Sequence, residues 1–310
     1  MNPLGRGALA LALLGAANSV AAETLNGFDL SGLSVERSLV QQGGPPRDGI
    51  PALIDPAFVS ADQAGLNDDD RVIGVAFNGE VKAYPLSIMN WHEVVNDRFG
   101  NRAVLVTYCP LCFTGMTFLA ESEGERQLFG VSGLLYNSDV LLYDRATESL
   151  WSQISQQAVS GPRRGDVLPL LPSSHTTWGQ WRQRHPDTRV LSEQTGFRRD
   201  YDRDPYGEYA RRRDIMFPVA FRARGYHPKE PVLGIRHQGV VRAYPRSELA
   251  KMPPRFTDEL AGDTFTVLVD DDQVSARIAD AEGNEVPTVL AYWFAWYAFH
   301  PDTEVFTARR

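Results

Sequence analysis

The sequence predicts an α+β, mainly β protein built from two related hairpin-based modules, the first enlarged by an insertion. Three observations carry that expectation. The run from Val72 to Pro85, VIGVAFNGEVKAYP, returns as Val232 to Pro245, VLGIRHQGVVRAYP, at a constant offset of 160 residues. The run from Trp178 to Leu191, WGQWRQRHPDTRVL, returns as Trp293 to Phe306, WFAWYAFHPDTEVF, at an offset of 115, so the first copy is longer by 45 residues between the shared ends. Much of the rest consists of short runs rich in β-branched and aromatic residues bounded by turn residues, which is how strands read.

Taken in chain order, residues 1–22 carry one positive charge at Arg6, an apolar stretch from Ala8 to Ala17 and small residues up to Ala22, the three-part pattern of a secretory signal peptide. No later segment approaches the length of an apolar bilayer span, so a periplasmic or secreted protein with no membrane span in the mature chain is expected. Residues 23–220 then form the main module and residues 221–310 the shorter second one. Each contains a hairpin whose turn, Asn78 with Gly79 or Gln238 with Gly239, supplies residues that tolerate positive φ. In the first module the segment from Leu86 to Asp97, LSIMNWHEVVND, feeds a strand from Ala103 to Tyr108 that runs into Cys109, Pro110, Leu111 and Cys112. The second module lacks these features: Thr266 to Val269 runs into Asp270, Asp271 and Asp272, and a proline-containing stretch from Met252 to Arg255 stands where the first has His92.

After Cys112, the run from Phe113 to Leu119 has strand composition, and the charged turn from Glu121 to Arg126 leads it back into Gln127 to Val131 as a hairpin. This argues against a thioredoxin-like site, where the second cysteine lies in a helix. The extra length of the first copy carries Gly130 to Gln153, where Ser132, Asn137, Ser138, Asp144 and Arg145 interleave with strand formers as in a strand lining a pocket. The same run also fits a tight hairpin from Tyr143 to Leu150 with Trp151 in the core. Each W-x2-W-x3-H-P-D-T stretch reads as a short amphipathic helix stopped before proline and leading into a strand. Residues 198–213, dense in charge and tyrosine, read as a solvated connection that covers one side of the site.

Composition narrows the function. With 31 Lys+Arg against 39 Asp+Glu the net charge is −8, which opposes nucleic-acid binding. The expected partner is instead a small molecule or another exported protein. Two cysteines cannot make a disulfide framework or a four-thiolate zinc site, so all sulfur chemistry falls on one Cys-Pro-Leu-Cys pair. Residues that both copies share, including His185 and His300, are read first as packing residues, which leaves those unique to the first copy for chemistry. A knuckle that aims two thiolates at one ion needs further ligands, and His92 is the leading one, giving a Cys109, Cys112 and His92 set that suits copper or zinc. Met116 or Met89 would complete a copper site, although methionine beside a strand is commonly core filling. Glu93 is the matching acid/base or ligand-orienting carboxylate, or else a surface charge. An enzymatic redox role for that metal site stays open, as do a metal-free thiol–disulfide oxidoreductase, a structural disulfide or buried thiols, and a non-catalytic ligand-binding or scaffold module.

These residues also form longer signatures. V-x-Y-C-P-L-C, then F-G-V-S-G-L-L-Y-N-S-D, then Y-D-R-x-T-x-S-L-W-S-Q, then W-x2-W-x3-H-P-D-T, together resemble the bacterial domain-of-unknown-function family 3179 (DUF3179), from about Ile50 to Leu249. The resemblance implies that the segment from Leu86 to Asp97 belongs with these motifs. It implies no activity, and the region past Leu249 matches the pattern less well.

Overall fold

The computed structural model describes residues 23–270 and 275–308. The expected signal peptide, and Asp271 and Asp272 of the second module, lie outside the described residues. The chain is mainly β, as its composition of short alternating runs implies. Among the described residues no helix is long and apolar enough to cross a membrane.

The two hairpins, Arg71–Phe77 with Glu80–Pro85 and Pro231–His237 with Val240–Pro245, are built to one plan. Asn78 and Gln238 both take positive φ at the turn, 48° and 46°. Ser174–Thr177 pairs antiparallel with the first hairpin, Ser174 opposite Gly74, and Val289–Tyr292 pairs with the second, Val289 opposite Gly234. Each of these strands enters a seven-residue helix, Trp178–Arg184 or Trp293–Phe299, then a strand parallel to the hairpin, Arg189 opposite Lys82 and Glu304 opposite Arg242. Every pair keeps the offsets of 160 and 115. Trp181 and Trp296 lie on Gly74 and Gly234, where a Cβ would collide with the indole. Their indole N–H groups donate to Thr188 and Thr303 at 3.0 and 3.1 Å, and His185 and His300 pack on the same rings. The W-x2-W-x3-H-P-D-T motif is thus a packing device: a tryptophan over a glycine, tied at its polar edge and ended by histidine and proline.

The large sheet carries the knuckle. Its order runs Glu304–Val305, Val240–Pro245, Pro231–His237, Val289–Tyr292, Thr114–Leu119, Arg102–Cys109, Val94–Phe99, Leu53–Ile54, with Leu170–Leu171 also on Thr114–Leu119. Gly115 sits opposite Leu290, so the second hairpin lies in the same sheet as the Cys-Pro-Leu-Cys strand. Cys109 pairs with Thr114 across the tip, which makes the knuckle a hairpin loop between strands, with no helix after Cys112. The return differs from the expected single hairpin. A small ladder, Glu121–Ser122 with Glu125–Arg126, turns the chain away. Phe129–Tyr136 then enters a separate five-stranded sheet, between Val40–Gln42 and Asp139–Asp144. The tight turn after Asp144 matches the expectation: Asp139–Asp144 pairs back onto Leu150–Ser152, and Trp151 is buried. One apolar core joins the two sheets and includes Cys109, Cys112, Met116, Phe129, Trp151 and Tyr292.

Candidate metal centre

Three donors converge where the sheets meet. Cys109 ends its strand and Cys112 follows three residues later, its backbone N–H donating to the Cys109 carbonyl at 3.1 Å. Proline between them presets the turn. Phe113 leaves it at φ +56°, an unusual conformation for an aromatic residue, and its ring is held between His175 and Tyr292 at centroid distances of 4.6 and 5.2 Å. The second module braces the tip as well, since Tyr292 N–H donates to the Cys112 carbonyl at 2.8 Å. Asp139 arrives from the five-stranded sheet. Asn137 and Ser138 both have positive φ, 52° and 68°, as a two-residue hairpin turn requires, and this turn delivers Asp139 and the Ser138 carbonyl to the knuckle. Cys112 Sγ–H donates to that carbonyl at 3.1 Å. Donor atoms of Cys109, Cys112 and Asp139 all lie within 4.8 Å of one another, and all three residues are buried, so the cluster can hold a metal ion.

Burial sets the electrostatics. It pushes both thiols up, Cys112 well above the usual thiol range. It pushes Asp139 up to about 7, against hydrogen bonds from the Ile154 N–H and the cysteines that favour the carboxylate. Glu93 faces the same space. It ends the helix Leu86–His92 in the left-handed conformation, φ 57°, with its N–H on the Met89 carbonyl at 2.8 Å. Its carboxyl accepts from the Tyr206 hydroxyl at 3.2 Å, and burial pushes it up to about 8, with the nearby Asp139 charge adding to the rise. Among the described residues, no lysine or arginine forms an ion pair with Cys109, Cys112, Asp139 or Glu93. The buried Ser138 hydroxyl and Gln153 Oε1 also have no hydrogen-bond partner among the described residues, and the Tyr209 hydroxyl has no acceptor among them. Acid-capable groups without a cation and polar atoms without partners are what a bound metal with its ligand would satisfy.

His92 does not join the cluster. Its Nδ1–H donates to the Pro51 carbonyl at 2.7 Å, and Nε2 accepts from the Tyr201 hydroxyl at 2.7 Å. A carbonyl can only accept, so this is one fixed neutral tautomer with both nitrogens used, and burial lowers its pKa accordingly. Met89 and Met116 are fully buried core residues.

The expected pocket residues divide. Ser138 meets Cys112 through its carbonyl. Ser132 bonds the Leu141 carbonyl and the Leu134 N–H at a bulge in its strand. Asn137 ties two distant segments together, accepting from Ala220 N–H at 2.8 Å and donating to the Ala298 carbonyl at 3.3 Å. Asp144 caps its own turn through Thr147 and takes the Trp151 indole N–H at 3.0 Å. Arg145 pairs at the surface with Asp48.

Asp139, Tyr206 and Tyr209 are the site residues that the sequence did not single out. The signal for Asp139 was an acid directly after an Asn-Ser turn in an otherwise apolar strand. The tyrosine-rich connection does cover the site: Tyr201 reaches His92, Tyr206 reaches Glu93, and Tyr209 is buried beside the cysteines, whose charge would act on its hydroxyl.

Residues 47–303 match the family described as Protein of unknown function (DUF3179), most of the chain and well beyond Leu249, so the Val289–Tyr292 strand and the Trp293–Phe299 helix fall within the matched region along with the second hairpin. No curated protein and no solved structure matches the chain.

Proposed function

The chain belongs to the DUF3179 family, which is described without an activity, and on that premise we propose that it is an exported zinc protein in which Cys109, Cys112 and Asp139 hold the ion. One observation carries this: four acid-capable side chains, Glu93 included, are buried together and form no ion pair with a basic side chain among the described residues. A divalent cation removes that imbalance. The donor set favours zinc over copper. Two thiolates suit either metal, but a carboxylate as third donor suits a borderline divalent ion better than copper(I), and the two imidazoles of a blue-copper site are absent from the cluster. Held by Cys109, Cys112 and Asp139, a zinc ion would keep room for water or substrate and would supply Lewis-acid chemistry to it. On that side Glu93 is positioned to hold or release a proton, with Tyr206 fixing its carboxyl. Export is supported by the signal-like pattern of residues 1–22.

A thiol–disulfide couple has one observation in its favour, the Asp139 carboxyl at about 7 beside both cysteines, where it can accept a thiol proton. Burial argues against it, since reactive cysteines have lowered pKa values and partial exposure, whereas Cys109 and Cys112 are 2 % and 0 % exposed and shifted upward. Competition of the reduced protein with a chromophoric chelator for zinc separates the two. We expect one zinc withdrawn per chain. No withdrawal, together with a reversible, dithiothreitol-sensitive Cys109–Cys112 bond, overturns the zinc reading.

A further inference from the structure

We infer that the cavity beside the cluster binds a small apolar molecule that brings a single polar donor group to the metal, with the Tyr209 hydroxyl orienting that group. This rests on the metal reading. The cavity has a volume of 390 Å³ and reaches the knuckle through Leu111, one of the two residues between the ligating thiols, and through Glu93. Leu134, Leu135 and Val140 line it as an apolar wall, and Met216, 53 % exposed, connects it to solvent. Large apolar side chains kept at a solvent-connected cavity mark a binding site better than a core defect.

The polar lining is almost fully committed elsewhere. Arg212 is neutralised by Asp214 at 2.7 Å, and the Tyr206 hydroxyl is on Glu93. Tyr209 is the exception. Only 4 % exposed, it lines the cavity with a buried hydroxyl that the Met216 backbone N–H approaches; that group can only donate, so the hydroxyl's own proton has no acceptor among the described residues. Lys229 Nζ lies 3.7 Å from its ring centroid and holds the ring in place. A buried hydroxyl is costly to leave unpaired, and a ligand acceptor near the metal would pair it. A charged or sugar-like molecule would leave its own polar groups unpaired against the aliphatic wall.

Cobalt(II) in place of zinc gives a test that keeps the two claims apart. A thiolate-to-cobalt charge-transfer band reports the centre itself, and the visible d–d bands report ligand binding to it. Acetohydroxamate and octanohydroxamate are titrated into the cobalt protein, its Met216→Arg variant and its Tyr209→Phe variant. The expected result is octanohydroxamate binding at least about tenfold more tightly than acetohydroxamate. Met216→Arg should lower only the longer probe's affinity, and Tyr209→Phe should weaken both several-fold with the charge-transfer band unchanged. Equal affinity for the two probes, or unchanged affinities in both variants, overturns the apolar-ligand inference while the band keeps the metal centre. Absence of the band overturns the metal reading and this inference with it.

Discussion

His92 and Glu93 are neighbours at one helix end, and they do different work. His92 uses both ring nitrogens to pin the Pro51 loop and Tyr201, while Glu93, turned by its left-handed backbone, faces the thiols. His92→Ala should therefore cost about 2–4 kcal/mol of stability through a lost buried ring and an unpaired Pro51 carbonyl. A denaturant titration should show this loss while the variant still binds one zinc; loss of zinc with stability intact would contradict the assignment. Cys109 and Cys112 were readable in the sequence because a proline-containing C-x-x-C at a strand end has few uses. Asp139 was not, because a lone aspartate after a turn usually caps or faces solvent. Its meeting with Cys112 is made by packing between two sheets, which local pattern does not encode.

At the scale of elements, the repeat is held by a tryptophan over a glycine in each module. Gly74→Ala and Gly234→Ala should each destabilise the protein by about 1–3 kcal/mol, since a methyl group there meets an indole that has no room to move. Comparable losses from the two variants in thermal melts would show that the two devices are equivalent; a neutral effect at either would show that its tryptophan is not tightly seated. These hairpins were legible because glycine turns, period-two alternation and the W-x2-W motif are local. The partner of Phe129–Tyr136 was not. The short ladder at Glu121–Arg126 reads as an ordinary hairpin turn, and only the buried Asn96 shows the handover, its side chain accepting from Phe129 N–H at 2.7 Å and donating to the Phe129 carbonyl at 2.9 Å.

The whole molecule assembles its site from pieces far apart in sequence. The first module gives the knuckle, the inserted sheet gives Asp139, the second module gives Tyr292 as a brace, and the connection supplies Tyr206 and Tyr209 as a cover. That arrangement has a pH signature. In the metal-free protein burial raises Asp139 and Glu93 from their ordinary values to about 7 and about 8. A carboxyl raised in the folded state binds more protons there than in the unfolded state. Its contribution to stability is therefore fully present below about pH 4 and is lost as pH rises through 7 and 8. Melting temperatures of chelator-treated protein should fall between pH 6 and 9 more steeply than those of the zinc-loaded protein, in which the cation compensates the charge. Parallel pH profiles would show that the cation does not act on these groups.

Metal binding at Cys109, Cys112 and Asp139 is open to a direct measurement. Elemental mass spectrometry of the reduced, purified protein tests it most directly when the native chain is compared with Cys109→Ser, Asp139→Asn and His92→Ala. With these three ligands, the native protein and His92→Ala should carry one zinc per chain, and the other two variants little or none. A metal-free native protein, or full zinc in Cys109→Ser and Asp139→Asn, would contradict it.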